Sequence, residues 1–187
     1  MKLAVIFPGI GYHVDKPLLY YSRKIAENYG YQTITVPYGN FPAGVKGSVK
    51  KMEDSFYSAL AQAEGILKDI DFTLYDEILF ISKSVGTAVA AAYGQNHSLI
   101  TRNVYYTPVG QSFPLMNQPG IVFHGTGDGW VETALVREEC KKKELPLYVI
   151  ENANHSLETG DVRKDLVNIQ IIMDKTEEYI KNIPAGR

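Results

Sequence analysis

Six short apolar segments along the chain predict the strands of one sheet. Each is four or five residues long and is bounded by Gly, Pro or polar residues that favour turns. The first segment lacks alternation, which is typical of a central strand covered on both faces, whereas the second alternates between apolar and polar positions. The predicted strands are residues 3–7, 32–36, 78–81, 103–106, 120–123 and 146–150.

Helical patterns separate these strands. Apolar side chains in residues 48–70 recur at the spacing of one helix face, and the alanine-rich residues 87–93 indicate a helix packed closely on a sheet. Asp15 is predicted to cap a further helix that has Pro17 in its first turn. This helix is predicted at residues 17–28, and two others are predicted at residues 131–143 and 162–180. This alternation predicts a doubly wound, mostly parallel sheet whose ligand lies at the carboxyl ends of the strands.

Size and charge narrow the class of protein. With 187 residues, 45% of them hydrophobic, the chain is long enough for a sizeable core, and we predict a single domain over residues 1–187. A net charge of −2 and a pI near 6.1 do not predict binding to nucleic acid or to an anionic membrane, and they favour a small, largely neutral substrate. Cys140 is the single cysteine, which excludes an internal disulfide. Residues 3–7 are too short an apolar run for a signal peptide, so we expect a cytoplasmic protein.

The turn between the third strand and the alanine-rich helix has the pattern of a nucleophile elbow. It reads Ser82-Lys83-Ser84-Val85-Gly86, with small residues two before and two after Ser84. We predict that Ser84 is the nucleophile, because it directly precedes the helix, whose positive end and Val85 N–H face an oxyanion formed there. The alternative is an ordinary strand-to-helix turn in which Ser82 and Ser84 only cap the helix.

Two other residues with catalytic chemistry also follow predicted strands. Asp128 comes after the fifth strand and His155 after the sixth, which gives the order Ser, Asp, His along the chain. A serine hydroxyl needs an imidazole to accept its proton, and the imidazole needs a carboxylate to fix its tautomer. We predict that the second oxyanion donor is the backbone N–H of Ile10, between two glycines in the loop after the first strand. Asp128 could instead be a turn residue and His155 a helix cap or a solvated side chain.

Four segments together resemble motifs of the α/β-hydrolase superfamily. FPGIGY, SKSVGT, VFHGTGDGWV and NANHSLE are similar to the oxyanion loop, elbow, acid loop and histidine loop of small members without a lid, of the dienelactone-hydrolase-like and carboxylesterase-like kind. The resemblance spans nearly the whole chain and implies a six-stranded sheet of order 2-1-3-4-5-6, without the two antiparallel strands that begin the family's sheet. Ser82 departs from the usual first elbow glycine. Dienelactone hydrolases proper attack with a cysteine, so their substrate is not implied here.

Other side chains near strand ends complete the predicted site. Tyr12, Tyr38 and Trp130 follow strands and are candidate walls of the substrate pocket. His124 is predicted to be a hydrogen-bonded structural residue. Lys83, beside Ser84, could favour an anionic acyl group, but we predict a solvated lysine at the start of a helix. Residues 107–118 leave no room for a long helix, so we expect no cap and a shallow, open pocket. The sequence has neither a metal-binding motif nor a sign of a cofactor.

These patterns predict a serine hydrolase that acts on a small carboxylic ester or thioester. Two other functions stay open on the sequence alone. One is a ligand-binding or sensor protein that keeps the frame without turnover, which the departure at Ser82 suggests, and the other is an acyltransferase.

Overall fold

Six parallel strands form one sheet in the computed structural model, which describes residues 1–41, 43–45 and 47–183. The strand order is β2-β1-β3-β4-β5-β6, and every neighbouring pair is parallel. The predicted order is therefore confirmed. The strands are β1 Lys2–Phe7, β2 Tyr31–Thr35, β3 Glu77–Lys83, β4 Arg102–Tyr106, β5 Gly120–Gly125 and β6 Leu147–Ile150.

Helices cover both faces of this sheet. One face is covered by α1 and α5, and the other by α2, α3 and α4. Short 3₁₀ helices occupy Phe72–Leu74 and the loop after β4 at Gly110–Leu115, so the described residues of that loop form no long helix or cap. The helices are α1 Pro17–Asn28, α2 Val49–Leu67, α3 Val85–Asn96, α4 Thr133–Lys142 and α5 Val162–Lys181.

The central strands are apolar throughout because both of their faces are buried. In β1, Ala4 and Ile6 pack against the α1 and α5 face, whereas Val5 and Phe7 pack against the α2 and α3 face. Side chains alternate between the two faces of a strand, so a strand covered on both sides loses the polar half of the pattern. This explains why the first predicted strand showed no alternation.

Two local predictions differ from the structure. Asp15 does not cap α1: Lys16 is the N-cap residue, its side chain forms no capping hydrogen bond, and Asp15 lies 3.7 Å from Arg23. In addition, β3 continues to Lys83 and α3 begins at Val85. The strand is longer than predicted because its last residues still pair with β4, in register with Tyr105 and Tyr106. The chain therefore changes from strand to helix at Ser84 alone.

Candidate active site

Ser84 has the strained backbone that a strand-to-helix elbow requires. Its φ is 55° and its ψ is −127°, outside the regions that a side chain with a Cβ usually adopts. Hydrogen bonds on both sides hold it there, because the Ser84 N–H donates to the Tyr106 carbonyl at 3.0 Å and the Thr87 N–H donates to the Ser84 carbonyl at 2.9 Å. The conformation places the Ser84 side chain at the carboxyl edge of the sheet.

Glycine at position 86 is required by close contact with the end of β1. A Cβ built on Gly86 would lie 2.3 Å from the Pro8 carbonyl oxygen and 2.4 Å from that of Phe7. Both atoms belong to the backbone, so neither can move aside as a flexible side chain would. The approach brings the loop after β1 against the elbow.

Ser82 fits the position that usually holds the first elbow glycine. Its side chain is fully buried, and its hydroxyl donates to the Val104 carbonyl of β4 at 3.3 Å. The strand thus accommodates a hydroxyl at this place with its hydrogen bond satisfied. Ser82 lies inside the sheet, whereas Ser84 is the elbow serine that contacts a histidine.

The structure brings the three predicted residues together in one hydrogen-bonded series. His155 Nε2 lies 2.8 Å from Ser84 Oγ, and His155 Nδ1 lies 2.7 Å from Asp128 Oδ2. An ionised carboxylate can only accept hydrogen bonds, so Nδ1 carries the proton and Nε2 is free to accept from the serine hydroxyl. The residues come from three separate strand ends, after β3, β5 and β6.

The Asp128 carboxylate is buried, and each of its oxygens has a hydrogen-bond partner. Oδ1 accepts from the Trp130 N–H at 2.8 Å, while Oδ2 faces His155. Burial of the side chain opposes ionisation, but the hydrogen bond and charge of His155, helped by the Trp130 N–H, outweigh it and lower the pKa of Asp128. The carboxylate therefore remains charged at neutral pH.

His155 is fixed in place and is held neutral. Its side chain is 17% exposed, and the Trp130 ring stacks on its ring with centres 5.3 Å apart. The Thr107 hydroxyl donates to the His155 carbonyl at 2.9 Å, which anchors the loop. Burial and the charge of Lys83 lower the pKa of His155 more than Asp128 raises it. A neutral imidazole is the form that can take a proton from Ser84.

His124 lies behind the carboxylate, in the structural role that the sequence predicted. It is fully buried, and its Nε2 is 2.9 Å from the Thr133 hydroxyl. Its Nδ1 has no hydrogen-bond partner among the described residues and lies 3.8 Å from Asp128 Oδ2. Burial lowers the pKa of His124, so the ring is neutral.

Lys83 is not the solvated lysine that the sequence predicted. It ends β3, is only 1% exposed, and its ammonium lies 5.0 Å from the centre of the Tyr12 ring. No carboxylate among the described residues lies within salt-bridge distance of it. Burial lowers the pKa of Lys83 to about 7. The prediction was wrong because β3 continues one residue past Ser82 and the loop after β1 covers its end.

Two backbone N–H groups near Ser84 are free to bind an anion. The Val85 N–H is the first of α3, and the Ile10 N–H lies in a turn closed by two hydrogen bonds between Gly9 and Tyr12, of 3.1 and 3.3 Å. Within the described part of the chain, neither N–H donates to a protein acceptor. A Cβ built on Gly9 would lie 3.0 Å from Ser84 Cβ, so this turn approaches the serine closely.

The three aromatic residues predicted as pocket walls lie in different places. Trp130 borders the site, stacked on His155. Tyr12 is buried, its hydroxyl accepts from the Leu18 N–H at 3.2 Å, and burial raises its pKa to about 12. Tyr38 is also buried, and its hydroxyl donates to the Pro8 carbonyl. These two tyrosines support the loop after β1 from behind instead of facing the groove beside Ser84.

An apolar groove runs beside Ser84 between α2, α3 and the 3₁₀ helix after β4. Its inner part, which we call the α2 lobe, has a volume of about 380 Å³ and is walled by Met52, Phe56, Val85, Ala88 and Leu115. Its outer part, the Trp130 lobe, has a volume of about 350 Å³ and includes Gly129 and Trp130. The lobes share the side chains of Val49, Met52, Val109 and Gln111. The sequence predicted a shallow site and missed this groove, because the apolar positions of α2 predicted only a helix face packed on the sheet.

The sheet order, the turn at Ser84 and the placement of helices on both faces define the α/β-hydrolase fold. A protein from Xanthomonas campestris pv. campestris assigned to that superfamily matches with a TM-score of 0.72 at 14% identity, over 98% of this chain and 100% of that one. Est1E from Butyrivibrio proteoclasticus, solved with ferulic acid bound, matches with a TM-score of 0.68 at 13% identity, over 97% and 88%. The Pyrococcus furiosus esterase Pf2001 gives 0.65 at 17%, over 96% and 82%.

These similarities establish the fold alone, because all three identities are low. No family model matches the sequence, and no curated protein matches it significantly. Within the described residues, no helix combines the length and the apolar character needed to cross a bilayer. The same residues contain no group of three or more histidine, cysteine or acidic side chains arranged to bind a metal ion.

Proposed function

We propose that this protein is a serine hydrolase that cleaves small carboxylic esters or thioesters. The observation that carries the proposal is the hydrogen-bonded series from Ser84 through His155 to Asp128, at distances of 2.8 and 2.7 Å. A serine hydroxyl becomes an effective nucleophile when a positioned imidazole takes its proton. The similar solved structures include esterases, which supports the same reaction class.

The chemistry proceeds through an acyl-enzyme. Ser84 Oγ bonds to the substrate carbonyl carbon while its proton passes to His155 Nε2, and Asp128 stabilises the imidazolium that forms. The C–O or C–S bond then breaks, His155 returns the proton to the leaving group, and the acyl group stays on Ser84. Water attacks this ester while His155 takes its proton. The carboxylic acid leaves and the Ser84 hydroxyl is restored.

The negative charge on the carbonyl oxygen is met by the N–H groups of Val85 and Ile10. Preorganised backbone donors are effective because they need no rearrangement as the charge develops, and the loss of one donor typically costs about 10²–10³-fold in kcat. The N-terminal end of α3 adds its dipole at the same place. Both donors belong to the backbone, so their position and not their residue type identifies them.

Labelling with an active-site-directed fluorophosphonate tests the nucleophile. We expect the wild-type protein to be labelled on Ser84, Ser84→Ala to abolish labelling, and Ser82→Ala to keep most of it. Ser82 is a matched control because it is a serine of the same turn motif whose hydroxyl is bonded inside the sheet. Labelling that disappears with Ser82→Ala and survives Ser84→Ala would refute the assignment.

Product analysis separates hydrolysis from the two other functions. We expect free carboxylic acid to accumulate from short-chain esters and thioesters. Ligand recovered intact, with binding unchanged in Ser84→Ala, would instead show a binding protein. Acyl groups found on an added alcohol or amine in preference to water would show an acyltransferase. The departure at Ser82, which suggested loss of turnover, has a structural explanation and no longer favours the binding protein.

A further inference from the structure

We propose that the α2 lobe binds the acyl group of the substrate and that this group is uncharged, apolar and of medium length. The inference rests on the proposed serine hydrolase and adds to it the chemical class of the acyl group. It depends on three features of the groove: its direction relative to His155, the chemistry of its walls, and its size.

The direction follows from where the leaving group must lie. His155 Nε2 returns a proton to the leaving group, so that group lies on the His155 side of the scissile carbonyl. Trp130 stacks on His155 and lines the Trp130 lobe, which therefore takes the leaving group. The acyl group extends away on the opposite side. There Val85, which follows Ser84 directly, forms part of the wall of the α2 lobe.

The walls of the α2 lobe suit a hydrocarbon. Met52 and Phe56 of α2 face Ala88 of α3 and Leu115 across it. A flexible thioether side chain such as Met52 adapts to chains of different shape. Glu53 is the charged side chain among the described residues that line the lobe, and it lies at the exposed rim. Among the described residues that line the lobe, a carboxylate on the acyl group would meet this like charge and no cation.

The buried ammonium of Lys83 does not line the α2 lobe. The Lys83 ammonium lies over Tyr12, on the α1 and α5 face of the sheet, whereas the α2 lobe lies on the other face. Sequence position alone placed Lys83 beside the nucleophile and suggested an anionic acyl group. The structure places Lys83 and the α2 lobe on opposite faces of the sheet, so Lys83 cannot pair with an anionic acyl group there. This supports an uncharged acyl group.

Solvent exposure along α2 supports an apolar occupant. Val49 is 77% exposed and Tyr57 is 59% exposed, and both lie at the mouth of the α2 lobe. A bound hydrocarbon would cover part of these side chains. A volume of about 380 Å³ is in the range of ligand pockets, and at about 30 Å³ for each water-sized group it holds roughly a dozen. Because part of this space is the open mouth, we expect an acyl group of about six to eight carbon atoms.

A series of p-nitrophenyl esters tests the length preference. Each methylene that enters the lobe should raise kcat/KM by about two- to fourfold. The hexanoate should therefore exceed the acetate by at least about tenfold, and the rate should level off or fall at the dodecanoate. A flat series, or one in which acetate is best, would overturn the inference.

A pair of esters of equal length tests the charge preference. The butyrate and the hemisuccinate both carry four acyl carbons, but the hemisuccinate adds a carboxylate. We expect kcat/KM for the hemisuccinate to be at least about tenfold lower, since its carboxylate would lose water among apolar walls. In Glu53→Gln the difference should narrow. A hemisuccinate that reacts as fast as the butyrate would contradict an uncharged acyl group.

Two variants test the location. Phe56→Lys places a charge in the α2 lobe at a partly exposed position that does not line the Trp130 lobe, and the hexanoate-to-acetate ratio of kcat/KM should fall at least about fivefold. Ile66→Lys is the matched control, because Ile66 is an exposed apolar residue of the same helix that lines neither lobe. Its ratio should equal that of the wild type. An unchanged ratio in Phe56→Lys would overturn the location.

Fluorophosphonate labelling separates this inference from the function on which it rests. Normal labelling of Ser84 with no chain-length preference would leave a serine hydrolase whose acyl group binds elsewhere. Absence of both labelling and ester hydrolysis would overturn the hydrolase and the acyl lobe together. Labelling together with a rise from acetate to hexanoate that is lost in Phe56→Lys would support both.

Discussion

The Lys83 ammonium lies 5.0 Å from the centre of the Tyr12 ring, one residue before Ser84 and almost entirely out of water. A cation over an aromatic face is attracted to it, but that attraction replaces only part of the hydration the ammonium has lost. The remaining cost appears as a pKa of about 7 for Lys83, far below the ordinary lysine value. This buried amine affects both the stability of the fold and the titration of His155.

We expect Lys83→Met to stabilise the protein and to change how its stability depends on pH. The pKa of Lys83 is about 7 in the fold and about 10.4 in an unfolded chain, so between these values the unfolded state binds more protons and stability rises with pH. Each pKa unit is worth about 1.4 kcal/mol. Urea unfolding at pH 7 and at pH 9.5 should therefore differ by less in the variant than in the wild type.

Lys24→Met controls for the loss of a lysine as such. Lys24 is an exposed residue of α1 that pairs with Glu27 on the surface. Its removal should leave the pH dependence of the wild-type stability above pH 7 nearly unchanged. If Lys83→Met retains the full wild-type difference between pH 7 and pH 9.5, the Lys83 amine is not buried as the structure places it.

Lys83→Met should also move the acid limb of the pH–activity profile. Burial is the largest cause that lowers the pKa of His155, and the charge of Lys83, which is protonated below pH 7, is another. We expect the acid limb of kcat/KM, which reports the free enzyme, to lie below pH 6.5 in the wild type and to shift to higher pH in Lys83→Met. A limb that stays in place would show that Lys83 and His155 do not interact through their charges.

The positions and the parallel direction of the strands could be predicted because parallel strands buried on both faces leave continuous apolar runs, whereas their order was implied by the resemblance to the α/β-hydrolase superfamily. The positions of Ser84, Asp128 and His155 could be predicted because each follows a strand, and the carboxyl ends of parallel strands meet at one edge. The structure adds the hydrogen-bond distances that join them. No pattern of local residue types could have supplied those distances, since they depend on three loops meeting in space.

Neither the pocket walls nor the burial of Lys83 could be predicted from local sequence patterns, for a different physical reason. Tyr12 and Tyr38 follow strands, as pocket residues often do, yet both turn inward and bond to the backbone. Met52 and Phe56 sit in a helix whose spacing predicted only a face packed on the sheet. Burial of a side chain at the end of an element is set by the loop that folds over it, and that loop lies far away along the chain.

Gly86→Ala should damage the elbow, whereas Gly94→Ala in the same helix should be tolerated. The added Cβ at Gly86 would meet two backbone oxygens at 2.3 and 2.4 Å, which forces β1 and α3 apart. At Gly94 its nearest contact is the Phe80 ring at 3.5 Å, an ordinary van der Waals distance. We expect a loss of about 1–3 kcal/mol or more at Gly86 and a gain of about 0.5–1 kcal/mol at Gly94.

Chemical denaturation of the two glycine variants and the wild type gives the comparison directly. Fluorophosphonate labelling of Ser84 should also slow in Gly86→Ala, because displacement of Pro8 moves the turn that carries the Ile10 N–H. Equal stability of Gly86→Ala and Gly94→Ala would mean that the loop after β1 does not lie against the elbow.

Asp128→Asn tests whether the carboxylate orients His155 or only fills space. The asparagine side chain is of the same size, and its oxygen can still accept from the Trp130 N–H, so the acid loop should fold normally. Its amide group would, however, donate toward His155 Nδ1 and favour the tautomer whose Nε2 carries the proton. That Nε2 could no longer accept the proton of Ser84, and kcat should fall by about 10³–10⁴-fold.

Glu151→Gln, which changes an exposed carboxylate just after β6, is the control and should retain wild-type kcat. A loss of tenfold or less in Asp128→Asn, with the fold intact by circular dichroism, would show that His155 does not depend on Asp128 for its tautomer.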